Sequence, residues 1–325
     1  MHYSNPEQSV QMNLTFASPS AAVLRVDNTE TNASTGRHSA RLTSKNQYDD
    51  GLFIFDIAFA PYGCATWPAV WLSDPSNWPY NGEIDVVEAV NQATNGNQMT
   101  LHTSNGCTMK SKREMTGTSL TTNCYNGTDD NAGCGVRGPD ASYGEEFNAN
   151  GGGVYAMELR SEGIRVWFFA RNNIPSDITN GTSPNPSTWP EALADFPSTH
   201  CDIGSHFKNQ SIITNIGESL IRMMHFWGSA NTFEQMYVVA GQVQRPCTRR
   251  KTSVLALLVQ PMLRSTPVHL TMHTGSSTTS RSFKHHRHSY ARLGRFHGLV
   301  YSFKVITSSL FETTRTSLEH LQAPA

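Results

Sequence analysis

Short strands separated by turn residues constrain this chain more than any other feature. Between about residues 13 and 213 the apolar residues come in brief, mostly alternating runs, and each run stops at Gly, Asn, Asp or Pro. The stretch "AVLRVD" (22–27) alternates, and "SARLTS" (39–44) follows a Thr-Gly turn. "GLFIFDIAFAP" (51–61) is rich in Phe and Ile and ends at Pro, and "NQMTLHTSN" (97–105) alternates between two Asn-Gly pairs. "GVYAMELRSEGIRVWFFARN" (153–172) predicts a hairpin turning at Glu162-Gly163. Its second strand places Ile164, Val166 and Phe168 on one face and Arg165, Trp167 and Phe169 on the other. No part of this region sustains an i, i+3, i+4, i+7 apolar repeat, so helices are not expected to frame it. Long Gly/Asn/Asp/Pro-rich loops, 104–152 and 172–203, divide the strands. The pattern predicts an all-β jelly-roll sandwich.

One of these strands is chemically unusual. "NGEIDVVEAV" (81–90) sets Glu83, Asp85 and Glu88 in an otherwise apolar run. In a regular strand Glu83 and Asp85 share a face, with Ile84 and Val86 opposite. Glu88 has the wrong parity. One extra residue, a bulge near Val86-Val87, returns it to the face of the other two. The two Glu backbones are then roughly 13 Å apart along the strand. Side chains leaning together close that to about 5–5.5 Å, the separation of a retaining glycosidase pair. In that chemistry one carboxylate attacks an anomeric carbon and the other keeps a proton for the leaving oxygen. A third carboxylate between them raises the proton affinity of the set, which suits Asp85.

A solvated strand face also carries scattered acids, so the neighbours decide. "GCATWPAVWLSDPSNWP" (63–79) puts Trp67, Trp71 and Trp78 just upstream. A lone Trp is ordinarily core. Three of them beside three carboxylates fit a carbohydrate cleft, because aromatic faces stack on sugar rings. His102, on the next expected strand, completes the candidate set.

These residues resemble glycoside hydrolase family 16, in particular its fungal endo-1,3(4)-β-glucanases or laminarinases. The family's Glu-x-Asp-x-x-Glu signature stands here as "EIDVVE" (83–88). Around it lie "GCATWPAVW", "NWPYNGEIDVVEAVN", "TLHTSNGCTM", "NAGCGV", "YGEEFNANGGGVYAMEL", "IRVWFFARN" and "CDIGSHFKNQSII", in order over about residues 13–213. The resemblance implies a jelly roll with an open cleft across its concave sheet, and double-displacement hydrolysis of β-1,3- or mixed β-1,3/1,4-glucan. By position Glu83 matches the nucleophile, Glu88 the acid/base and Asp85 the assisting carboxylate. Trp71, Trp78 and His102 match substrate subsites, and Trp67 stands at or behind them. A transglycosylase of the same fold, or a glucan-binding homologue without activity, is compatible with the same residues. The family implies a secreted monomer acting on β-glucan, with neither cofactor nor catalytic metal.

Composition supports an oxidising compartment. There are six Cys, at 64, 107, 124, 134, 201 and 247, and their pairing is open from sequence. Cys124 and Cys134 are close enough to close a small local bridge. Asn-x-Ser/Thr sequons occur at Asn13, Asn32, Asn126, Asn180 and Asn209. The first residues lack the basic and apolar segments of a signal peptide, and no apolar run reaches the roughly 18 residues of a membrane span.

Net charge is −1, but it conceals a division. Residues 1–212 hold 12 Lys and Arg against 22 Asp and Glu, whereas 213–325 hold 13 against 4, no Asp, and 8 of the 13 His. Relatives continue past "HFKNQSII" with a Cys-Gly-Asp-Trp-like segment, a Cys-rich loop and a last strand, and they begin with further strands ahead of "LTFAS". This sequence is expected to be truncated at both ends by that standard. Residues 1–213 are read as an incomplete catalytic domain and 214–325 as a poorly ordered basic tail arising from a retained intron and a shifted frame. Gly217-Glu218-Ser219 can be encoded through GGTGAGT, a splice-donor-like string. "RPCTRRK" could contact phosphates, and "HHRH" (285–288) lacks the ordered spacing of a metal site. Both are read as solvated, with no nucleic-acid or membrane partner. Within the tail only "VLALLV" and "GLVYSFKVI" look like strands.

Overall fold

The computed structural model describes residues 2–218, apart from 19–20, 31–35, 64–65, 93 and 182, together with the backbone of six strand segments beyond 218. The alternating runs become two β-sheets packed face to face. One sheet runs in the order Thr118–Ser119, Cys134–Arg137, Gln98–His102, Glu83–Glu88, Thr66–Ser73, Gln210–Glu218, Arg41–Tyr48, Leu270–Thr274, Ser277–Thr278. The other runs Ala194–Pro197, Gly163–Ala170, Gly153–Arg160, Gly51–Phe59, Ala256–Val259, Tyr301–Ile306, Ala21–Arg25, Thr15–Ser18. The core lies between them. Phe53, Phe55 and Ile57 of one sheet meet Val70, Leu72, Ile84, Val86, Met99 and Leu101 of the other, all essentially inaccessible. At about 25 cal/mol per Å² of apolar surface, this shared layer dominates the fold's stabilisation.

The predicted hairpin forms with an unbroken register from Gly153↔Ala170 to Arg160↔Gly163. Its face division holds, and on both faces the apolar side chains are wholly or largely covered while Arg165 stays exposed. Ile164, Val166 and Phe168 pack into the main core. Trp167 and Phe169 join a second cluster with Leu52, Ile54, Ile178 and Trp189. From the segment expected as a loop, 172–203, Ile174, Ile178, Trp189 and Ala192 pack over part of the outer face of this sheet. Trp189 stands edge-on to Trp167 and to Phe169 at 5.3 Å each, and its indole N–H donates to Asp177 Oδ2 at 2.9 Å.

Among the described residues the α-helices are only one or two turns long: Pro6–Gln11, Gly144–Ala149, Ser176–Thr179 and Ile203–His206. Such pieces are shorter than the period that would reveal them. The first carries a reciprocal cap between Asn5 and Gln8. Disulfides join Cys107 to Cys201 and Cys124 to Cys134, the second being the local bridge expected from spacing. Among the described residues, no helix is long and apolar enough to cross a membrane.

Both tail stretches that read as strands supply strands. Ala256–Val259 pairs with Ala21–Arg25, and Tyr301–Ile306 lies along Leu52–Asp56 of the Gly51–Phe59 strand. Cys64, Cys247, "RPCTRRK" and "HHRH" lie outside the described residues.

Candidate active site

The acidic strand contains the bulge its parity demands. Opposite Thr66–Ser73, Asp85 faces Trp71 and Val87 faces Val70, leaving Val86 as the extra residue. Opposite Gln98–His102, three steps from Asp85 to Glu88 match two steps from Thr100 to Gln98. Val86 and Val87 both turn into the core, at 0% and 3% exposure. Glu83, Asp85 and Glu88 therefore share the opposite face.

A side chain that sequence did not single out holds this distortion in place. Asn97 is wholly buried. Its Oδ1 accepts the backbone N–H of Glu88 at 2.9 Å, and its Nδ2 donates to Val86 O at 2.8 Å. One amide thus satisfies two backbone groups that the bulge removes from the ladder. Ser142 in turn accepts the Asn97 N–H at 2.9 Å. The position sits in an Asn-Gly-Asn turn and reads locally as loop, so no sequence signal marks it.

The aromatic residues surround the acids in distinct ways. Trp67 donates its indole N–H directly to Glu88 Oε1 at 2.7 Å, rather than standing behind the site. Trp71 is fixed from two sides: Asn215 Oδ1 accepts its N–H at 2.9 Å, and the Arg41 guanidinium lies 4.7 Å above its ring. The contact is a cation–π pair. Arg41 also stands within electrostatic reach of Glu83. Trp78 is 40% exposed at the cleft edge and hydrogen-bonds Glu83. Its loop is tied by Asp74, which accepts from Ser76 N at 3.0 Å and from Asn81 Nδ2 at 2.8 Å. The loop closes through Gly82 at φ +69, where a Cβ would strike His206 O at 2.4 Å, so only glycine serves. Arg41 lacked a sequence signal beyond being a polar residue in a strand, and Asn215 lay in the part from 214 on that was expected as a poorly ordered tail, whereas it belongs to the strand Gln210–Glu218.

His102 sits beside Asp85, with Nε2 to Oδ2 at 3.3 Å, and its Nδ1 contacts Asn131 Oδ1 at 3.1 Å. The structure thus brings together Glu83, Asp85, Glu88, Trp67, Trp71 and His102, with Trp78 at the rim. Among the described residues, one potential donor atom each from Glu83, Asp85 and His102 lie within 4.8 Å of one another, within this same group. It includes a ring nitrogen facing a carboxylate, which suits a shared proton.

Crowding sets the protonation of the site. Burial pushes Glu83 up to about 8, with the negative charges of Asp85 and Glu88 adding to it and His102 and Trp78 opposing. Burial and then Asp85 push Glu88 up to about 7, against the Trp67 hydrogen bond and His102. For His102, burial alone lowers the value, but Asp85, Glu83 and Glu88 together raise it to about 9. Near neutral pH the set therefore holds an imidazolium and at least part of a carboxyl proton, and the titration belongs to the group as a whole.

A family model described as the XgeA-like catalytic GH16 domain matches residues 1–219. The chain belongs to glycoside hydrolase family 16. That match reaches past both ends of the 13–213 span over which the motifs are legible. Among curated proteins, a probable glycosidase of Schizosaccharomyces pombe is 48% identical over 245 residues, covering 72% of this chain and 57% of that protein. An endo-1,3(4)-beta-glucanase of Arthroderma benhamiae is 39% identical over 221 residues, covering 66% of this chain and 48% of that protein. The chain thus spans about half the length of these relatives. Laminarinase 16A from Phanerochaete chrysosporium, a GH16 enzyme solved with β-glucans in both donor and acceptor sites, superposes with a TM-score of 0.64 at 44% identity, covering 66% of this chain and 74% of that one. The jelly-roll assignment follows from this likeness together with the two packed sheets.

Proposed function

We propose that this chain is an endo-acting glycosidase that cleaves β-1,3- or mixed β-1,3/1,4-glucan with retention of configuration. The observation that carries the reading is the bulge at Val86, which sets Glu83, Asp85 and Glu88 on one surface beside His102. The reactive form of this coupled set is the one with its shared proton on Glu88 and Glu83 ionised: Glu83 attacks the anomeric carbon as a carboxylate, while Glu88 gives its proton to the leaving glycosidic oxygen. The glycosyl–Glu83 ester is then opened by water, whose proton returns to Glu88. Asp85 and His102 hold the intervening charge and proton. Trp67 steadies the Glu88 carboxylate after it has given up its proton, because its N–H is already aimed there. Trp78, exposed at the rim, and Trp71 offer ring faces for glucosyl units.

Reducing-sugar release from laminarin and from lichenan tests this directly. Glu83→Gln and Glu88→Gln each lower turnover by several orders of magnitude, since each chemical step needs its own group. Unchanged turnover in either variant refutes the assignment. Transfer to a second sugar is the other reading that an observation favours, because the superposed laminarinase is described with an occupied acceptor site. Product-length analysis separates it: elongated oligosaccharides mark transfer and shortened ones hydrolysis. Secretion and a monomeric state belong to the same proposal. Secretion is supported by the disulfides Cys107–Cys201 and Cys124–Cys134 and by the exposed or half-exposed sequon residues Asn13, Asn126, Asn180 and Asn209.

A further inference from the structure

The "NAGCGV" segment (131–136) has no part in the double displacement, yet it reaches into the site. Cys124 and Cys134 close a loop ten residues long in sequence separation. Both sulfurs are buried in the core. Three consecutive residues of that loop, Asp129, Asp130 and Asn131, take positive φ of 50, 52 and 63. Asp and Asn are the residues besides glycine that take such angles most readily. The chain then passes over the His102 ring at Gly133, where a Cβ would come within 2.8 Å of His102 Cε1. Thr121 ties the passage down, its hydroxyl donating to Gly133 O at 2.6 Å and accepting from Gly135 N at 2.9 Å. The loop's product is one contact: Asn131 Oδ1 at 3.1 Å from His102 Nδ1.

An amide oxygen only accepts, so Nδ1 carries a hydrogen and donates it. The ring's other nitrogen, Nε2, is then the one that faces Asp85 Oδ2 at 3.3 Å. An imidazolium at that place pairs its charge with the carboxylate. We propose that Asn131 is a positioning residue for the acid–base set: by accepting the Nδ1 hydrogen of His102 it fixes which ring nitrogen meets Asp85 and keeps the imidazolium beside the two glutamates. This rests on the glycosidase reading for its effect on rate, though the ring contact stands without it. The charged groups acting on His102 are Asp85 first, then Glu83 and Glu88, all from one strand. From the loop the ring meets the neutral amide of Asn131, and Gly133 passes close to it. Without Asn131 the ring loses the acceptor that orients it, so its pairing with Asp85, the foremost influence raising its titration, weakens, and the glutamate that must be ionised loses its neighbouring cation at lower pH.

The test uses the full chain with Asn131→Ala and Asn131→Asp. Nitrogen-detected NMR of the His102 ring reports its titration and which nitrogen is protonated. Laminarin hydrolysis across pH reports kcat and KM separately. Asn131→Ala is expected to lower the ring's titration, move the alkaline limb of the kcat profile to lower pH, and cut kcat by about tenfold with KM little changed. Asn131→Asp keeps an acceptor oxygen in place and restores the ring's high titration. A ring titration and pH profile identical to the parent in Asn131→Ala overturn the proposal. So does a raised KM with unchanged kcat, which marks a sugar contact instead. If the parent chain releases no sugar, the glycosidase reading fails, and the NMR result decides the role of Asn131 by itself.

Discussion

At the scale of single residues, the site works by placing carboxyls where they are reluctant to ionise. In the folded chain Glu88 titrates near 7, against about 4.3 for a free Glu side chain. The folded state therefore binds more protons than the unfolded one between those values, and stability falls as pH rises through that window. His102 acts in the same direction: its folded value of about 9 exceeds its unfolded one, so the stability its proton contributes is full below about 6.5 and is lost toward pH 9. Glu88→Gln removes the penalty for the glutamate. It is expected to raise Tm by roughly 2–4 °C or more at pH 8 and to change it little at pH 5, which calorimetry at the two pH values checks. An equal gain at both would mean that the carboxyl titrates normally.

At the scale of elements, the strand Glu83–Glu88 is functional only because it is irregular. A regular ladder would send Glu88 into the core and Val87 into the cleft. Asn97 prevents this by supplying the donor and acceptor that the partner strands do not. Asn97→Ala leaves Val86 O and Glu88 N buried without those partners, at a cost of about 1–3 kcal/mol. It also frees Glu88 to shift, and a displacement on the order of 1 Å lowers turnover on the order of 100-fold. Turnover and urea unfolding measured together check this. Asn97→Asp does not rescue, since it loses the donor and brings a fourth carboxylate to the set. The three acids and the need for a bulge were legible in the parity of "EIDVVE". The clamp was not, because Asn97 is 11 residues from the carbonyl it holds and belongs to a turn. Trp67 and Trp71 were legible as a cluster, but only the paired strands show that one indole serves Glu88 and the other is locked between Arg41 and Asn215.

At the scale of the molecule, the loop-rich half between the sheets depends on a long-range crosslink. Cys107–Cys201 spans 94 residues and ties the segment after His102 to the turn before the Gln210–Glu218 strand. Replacing both Cys with Ser is expected to cost about 4–5 kcal/mol by the loop-closure argument, while the shorter Cys124–Cys134 loop contributes about 2–3 kcal/mol. Denaturant midpoints of the two double variants check the order. The charge division near residue 213 belongs to this scale as well. If residues 214–325 come from an unspliced, shifted frame, transcript sequencing across the codons for Gly217–Ser219 recovers a shorter processed message. A processed message encoding these residues in frame refutes that origin.

What the sequence by itself determined is whatever follows from period and local chemistry: an alternation of two gives strands, Gly- and Asn-rich turns give a sandwich, and three acids out of parity require a bulge on a cleft face. Only the tertiary structure decided which groups meet across long separations. Asn97 grips the bulge, Asn215 and Arg41 fix Trp71, and Asn131 meets His102, because hydrogen-bond partners brought together by sheet packing leave no periodic trace in the chain. The outer face of the Gly163–Ala170 strand makes the same point: the chain shows Trp167 and Phe169 there, but the segment that covers them is recognisable only once it has folded back onto the sheet.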